Sequence, residues 1–274
     1  MTFLYNECIN IYTDASCKEL DTVLGKVSST CSGFMATYNG YALSMRLEVY
    51  IDEYAIFGEA KAVQMVTQWI LNTQSRYTSP NNRPTAINIF SDNNAVVGKV
   101  NSYIAKWLSL LEKSNGRQIE LRYDGDGGMT SWDYAAYLAA INIMYSHLPV
   151  RVFYTPGHMN IWNGMLKNAD SAKNKMIEIN SNYHGDISEE LEPYVVHEAA
   201  TFNNVVDITT RNCLYRNKYN IEGSINAVKD SLIIGTHKPY TIVWPFSFQS
   251  APAALQQPNM YMIGDRLMQK QVAS

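Results

Sequence analysis

ECINIYTD at 7–14 and TAINIFSD at 85–92 are the stretches that decide how this chain folds. Each alternates β-forming residues at the period of a strand, and each ends in a carboxylate. After the first comes a polar loop, then a β-rich run at 26–38 (KVSSTCSGFMATY). Asn39-Gly40 follows, a two-residue hairpin signal, and YALSMRLEVYI (41–51) reads as the returning strand. A three-strand antiparallel meander is therefore expected at the start. Residues 54–72 switch to helical period, with Val63, Val66 and Ile70 on a stripe that begins at Glu59. Two strands that both end in Asp fit a mixed α/β sheet, where ligands collect at the carboxyl ends of parallel strands.

Beyond the second strand, a helix is expected at about 93–113, with Val97, Val100, Ile104, Trp107 and Leu111 on one face. Lys99, Lys106 and Lys113 fall seven apart on another face and make a cationic stripe. Residues 114–130 read as irregular, with a short strand at 119–123 and a flexible GDGG at 125–128. Ser131 is positioned to cap a helix over 132–146. PVRVFY (149–154) reads as a strand, TPGH (155–158) as a turn, and a helix is expected from about 162 to 179. Helical stretches at 188–204 and 224–232 precede an extended tail from Lys238. In that tail PYTIVWPFSF (239–248) has the apolar-aromatic character of a docking strand, which suggests a homodimer through the C-terminal region.

Composition narrows the function classes. A hydrophobic fraction of 46% with 17% charged residues excludes a disordered chain. No apolar run approaches the roughly 18 residues of a membrane span, so no membrane role is expected. The net charge of −3 argues against a surface devoted wholly to nucleic acid, but leaves room for a local basic track. The 4 cysteines make no CxxC pair, and MTFLYNECIN has neither a basic start nor a long apolar run. The expectation is free thiols in a reducing, cytoplasmic compartment, in a viral or microbial setting.

Four carboxylates stand where their neighbours predict burial. Asp14 and Asp92 end strands, Glu59 lies on an apolar helix stripe, and Asp170 lies within a turn of Leu166 and Ala169. Buried carboxylates that meet would repel unless a cation joins them. All-oxygen donors favour Mg2+ or Mn2+ over zinc, and two such ions suit in-line displacement at phosphorus.

At this point the sequence resembles the ribonuclease H family. The resemblance rests on IYTDAS (11–16), the helix beginning GEAKAV (58–63), IFSDNN (89–94), and VFYTPGH (152–158) followed by NAD (168–170). It covers about residues 7–180. It implies a ribonuclease-H-like α/β fold, a mixed five-stranded sheet flanked by helices, over 1–182, with a C-terminal extension over 183–274. It further implies hydrolysis of the RNA strand of RNA–DNA hybrids with two Mg2+ or Mn2+ ions. Asp14, Glu59, Asp92 and Asp170 would be the metal ligands, and His158 a mobile group aiding proton transfer and product departure. Asn94 would touch nucleic acid beside the scissile phosphate. Ser16, Lys99, Lys106 and Lys173 are the further candidate nucleic-acid contacts. YAIFGE (54–59) replaces the Asn-rich turn of hybrid-cleaving members. The alternatives are a DNA-directed nuclease of this fold, or a binding and assembly module with little catalysis.

Overall fold

The stretch at 7–14 opens β1 (Cys8–Thr22), followed by β2 (Gly25–Tyr38), β3 (Tyr41–Ile51), α1 (Ala55–Thr73), β4 (Ala86–Ser91), α2 (Asn94–Ser114), α3 (Ser131–Met144) and β5 (Val150–Tyr154). A small hairpin of β6 (Ile161–Trp162) and β7 (Met165–Leu166) leads to α4 (Ala169–His184), α5 (Pro193–Lys229) and β8 (Ile242–Phe246). The computed structural model describes residues 7–22, 25–51, 53–74, 84–114, 130–159, 161–162, 165–166, 168–229 and 242–246. The strand expected at 119–123 and the GDGG turn lie outside the described residues.

The meander forms as expected. Asn39 and Gly40 both have positive φ, 49° and 76°, which is the backbone a two-residue hairpin turn requires. β4 runs parallel to β1, and β5 parallel to β4. The strand order is β5-β4-β1-β2-β3 with β8 added antiparallel to β3. That order, with an antiparallel meander on one side of β1 and parallel strands on the other, is a ribonuclease-H-like sheet. β8 contains Pro245, which an edge strand tolerates because it need not donate outward.

Period-two alternation sorts β1 between two cores. Ile9 and Ile11 face α1, α2 and α3, and pack with Val63, Val66, Ile70, Val97, Val100 and Trp107. Tyr12 faces the other way, toward α4 and α5, with Phe90, Phe153, Met176, Val195 and Val206. On this second face Tyr12, Phe90 and Phe153 stack across the three parallel strands at 5.5 and 5.6 Å. Phe202 of α5 covers Tyr12 at 5.0 Å, and His184 of α4 covers Phe153 at 4.5 Å.

Several expectations change. β1 does not stop at Asp14. Its antiparallel pairing with β2 continues to Thr22↔Gly25, while its parallel pairing with β4 ends at Thr13↔Ser91. Thr130, not Ser131, caps α3, accepting from the Asp133 amide at 3.4 Å. The β6–β7 hairpin occupies the start of the helix expected from 162. The stretches at 188–204 and 224–232 are joined in one helix, α5, through residue 229. Its buried Ala199, Val206 and Cys213 recur seven apart, so the apolar stripe continues past 204. α5 packs with β1, β2 and α4 residues in one hydrophobic cluster. The apolar segment of the tail adds to the chain's own sheet as β8. Among the described residues no helix is long and apolar enough to cross a membrane.

Candidate active site

The aromatic row sets the site. Tyr12 lies opposite Phe90 in register, so the residues two further along, Asp14 and Asp92, continue onto the same face side by side. Asp14 emerges where β4 ends, and Asp92 is the first residue after it. Glu59 comes from the other side of the sheet, in the first turn and a half of α1. Gly58 makes this reach feasible, because a Cβ there would lie 2.3 Å from Thr30 Cγ2 and 2.8 Å from Ala15 Cβ. The helix therefore presses against β1 and β2. The Ala15 amide donates to Asp14 Oδ1 at 2.6 Å and to Glu59 Oε1 at 3.3 Å.

Carboxylate oxygens of Asp14, Glu59 and Asp92 all lie within 4.8 Å of one another. Asp14 and Glu59 are buried, and Asp92 is half-buried. Burial, reinforced by the charges of Asp92 and Asp207, pushes Asp14 up to about 8. Burial, then Asp14 and Asp92, pushes Glu59 well above the usual carboxylate range. Burial also raises Asp92, with His158 opposing it. Burial leads in all three, and the charges of neighbouring acids add to it.

Asp14 Oδ2 and Glu59 Oε2 are buried and have no hydrogen-bond partner in the protein. Orphaned buried carboxylate oxygens are costly, and three acids with oxygens within 4.8 Å of one another fit a divalent cation. The donors are oxygens, which suits Mg2+ or Mn2+. Thr155 Oγ1 and Asn203 Oδ1 are also buried without a partner. Thr155 continues the row of Phe153 just as Asp14 and Asp92 continue theirs.

Asp170 does not join this group. It is exposed in the first turn of α4, whose buried residues are Ala172, Met176 and Asn180. Asp170 precedes Ala172 by two positions, about 200° around the helix, and so points away from the packed face. The acid that α5 brings near the group is Asp207, which is 8% exposed and raises both Asp14 and Asp92 by its charge. Asp207 is bonded by the Arg211 guanidinium one turn on, and His158 Nδ1 stands 3.6 Å from its Oδ2. His158 is 72% exposed in its side chain and adopts φ 51°, an uncommon backbone for a non-glycine residue. Gly157 before it lies so close to Asp92 that a Cβ would fall 1.8 Å from Oδ2.

Asp207 lies past residue 204, where the sequence pattern ends the helix, and α5 continues through it to Lys229. The signal was present: Asn203, Asp207 and Thr210 fall at i, i+4 and i+7 among apolar residues, a polar stripe facing β1. Asn203 Nδ2 donates to Thr13 O at 3.1 Å, and the hydroxyls of Thr210 and Ser16 lie 3.0 Å apart. Ser16 is thus engaged by α5. Asn94 is exposed at the start of α2, and Asn93 caps that helix by accepting from the Val96 amide at 3.1 Å. Lys99 pairs with Asp133 of α3 at 3.3 Å, Lys106 is exposed on α2, and Lys173 is half-buried on α4.

The fold is a ribonuclease-H-like mixed sheet, and a buried acidic cluster stands where the parallel pairing of β1 and β4 ends. No family profile matches the sequence, and no curated protein matches it. Among solved structures the chain is similar to a type 1 RNase H with the type 2 active-site motif, at 10% identity and a TM-score of 0.28, over 65% of this chain and 76% of that one. It is also similar to the NurA nuclease from Sulfolobus solfataricus, at 9% identity and a TM-score of 0.31, over 77% of this chain and 85% of that one. The fold assignment rests on strand order and direction, and the chemistry on the side chains.

Proposed function

We propose that this chain is a metal-dependent endonuclease that hydrolyses phosphodiester bonds of RNA, with the RNA strand of an RNA–DNA hybrid as its substrate. The observation that carries the reading is the triad of Asp14, Glu59 and Asp92, with orphaned buried oxygens, where the parallel pairing of β1 and β4 ends. The hybrid substrate rests on the resemblance in IYTDAS, GEAKAV, IFSDNN and VFYTPGH. Two divalent ions held by these carboxylates would supply charge stabilisation at the attacking and leaving oxygens.

The chain's own groups divide the remaining work. Asp14 and Asp92 present oxygens from adjacent strands and fix where the scissile phosphate sits. Glu59, tethered by the Ala15 amide, orients the attacking water and accepts its hydrogen bond. Asp207 takes the place expected of Asp170, adding a fourth negative group from α5. His158, exposed and beside Asp207, passes a proton to the leaving 3′-oxygen and lets product depart. Asn94, at the exposed start of α2, stands two residues past Asp92 for contact with the substrate backbone.

The test is cleavage of labelled 20-mers with Mg2+, Mn2+ or EDTA, across RNA–DNA hybrid, duplex RNA, single-stranded RNA and duplex DNA. Hybrid cutting that disappears in EDTA and falls at least about 1,000-fold in Asp92→Asn supports the proposal. Cutting that survives in Asp92→Asn contradicts the site. Metal-dependent cutting of another substrate keeps the site and moves the specificity.

A further inference from the structure

We propose that the outer ridge of α5, Arg211 and Tyr215, together with Lys18 of β1, is a binding site for a single nucleic-acid strand running away from the carboxylate cluster. The inference rests on the nuclease reading and extends it to how the strand is held.

Two matched rows leave the cluster together. On β1, Asp14, Ser16 and Lys18 share a face because side chains alternate along a strand. On α5, Asp207, Arg211 and Tyr215 fall at i, i+4 and i+8, each step advancing about 6 Å along the axis. The rows are tied at 3.0 Å by the hydroxyls of Ser16 and Thr210. They meet again where the Lys18 ammonium stands 4.1 Å from the centre of the Tyr215 ring. The extension of β1 past Asp14 is what brings Lys18 there.

The chemistry of the rows changes with distance from the cluster. Beside Asp14 and Asp92 the ridge is acidic; one turn on it is cationic and then aromatic. The Arg211 side chain is 51% exposed, and Tyr215 is 57% exposed while its neighbours Cys213 and Leu214 are buried. One face of the ring has Lys18 over it, and much of the residue still meets solvent. Glu19, the adjoining acid on β1, is paired with Lys26 at 3.2 Å. A polyanion is repelled by the acidic cluster itself and needs cations flanking it. Lys18 can neutralise a phosphate, Arg211 can offer one its remaining N–H donors while paired with Asp207, and Tyr215 offers a π-face on which a base can stack. Stacking needs an unpaired base, so the ridge suits a strand that is single-stranded on this side of the cut. Neither contact reads the 2′-hydroxyl, so RNA and DNA strands both fit.

Anisotropy of fluorescein-labelled 12-mer RNA, 12-mer DNA and a blunt 12-base-pair hybrid, titrated in EDTA so that nothing is cut, tests this. Tyr215→Ala should weaken both single strands about 5- to 150-fold, the range of one lost base stack, and leave the blunt hybrid within twofold. Tyr215→Phe, which keeps the ring, should bind as the unaltered protein does. Lys18→Gln and Arg211→Gln should each lower the salt slope for single strands by about 0.7. Single-strand affinity unchanged in Tyr215→Ala, or salt slopes unchanged in both charge variants, overturns the inference. The arms separate it from the nuclease reading: ridge-dependent binding without cleavage sinks only the nuclease, whereas cleavage with ridge-independent binding sinks only the ridge.

Discussion

The two faces of the sheet carry the same strands and opposite chemistry. The face under α1, α2 and α3 is a continuous apolar core, filled by Ile9, Ile11, Val63, Val97 and Trp107. The face under α4 and α5 begins the same way, with Tyr12, Phe90 and Phe153, then turns polar within two residues on each strand at Asp14, Asp92 and Thr155. On the first face burial is met by packing. On the second, burial leaves charges crowded and oxygens orphaned. The second face keeps groups that folding does not favour, and the proposed metal site accounts for them.

The largest effect expected from breaking this contrast is on the apolar face. Trp107→Ala removes a side chain that is 1% exposed and should cost about 3–5 kcal/mol in denaturant unfolding. The same variant should keep whatever response to Mg2+ the folded protein has. On the other face, Mg2+ at about 100 times its dissociation constant should stabilise by about 2.7 kcal/mol, raising the melting temperature by roughly 5–10 °C. Asp14→Asn should abolish that rise and yet melt higher than the unaltered protein in EDTA at pH 8, because it removes a crowded buried charge.

The pH dependence of the metal-free protein sharpens the same point. Asp14 titrates near 8 when folded and at 3.8 ordinarily, so the folded state holds more protons between those values. Stability should therefore be highest at the acidic end of that window and decline as pH rises toward 8. Saturating Mg2+ should flatten the decline, and a thermal melt series in EDTA and in Mg2+ reads both. The smallest effect separates two acids. Asp207→Asn should weaken Mg2+ binding about tenfold by calorimetry, as loss of a supporting charge does, while Asp170→Asn should leave it within twofold.

Much of this was legible in the sequence, for reasons that are local. The meander, β4, α1 and α2 follow from short-range period and from Asn39-Gly40, whereas the meeting of Asp14 and Asp92 comes from the parallel register Tyr12↔Phe90. Glu59 was legible as an acid on an apolar stripe. What escaped depended on long-range packing. Asp14 was read as a strand end, but β2 alone carries β1 on to Thr22. Asp170 was read as inward-facing, but α4 packs through Ala172 and Met176, which turns it outward. Asp207 lay past the point where the helix was expected to stop, and only the continuation of α5 across β1 gives it a neighbour to affect.

The central claim is that the acidic cluster is a divalent-metal site. Crystals soaked in Mn2+ and measured at the manganese absorption edge test it most directly. Anomalous peaks within coordination distance of Asp14, Glu59 and Asp92 are the predicted result. A well-soaked crystal with manganese bound elsewhere and none among these three carboxylates would contradict it.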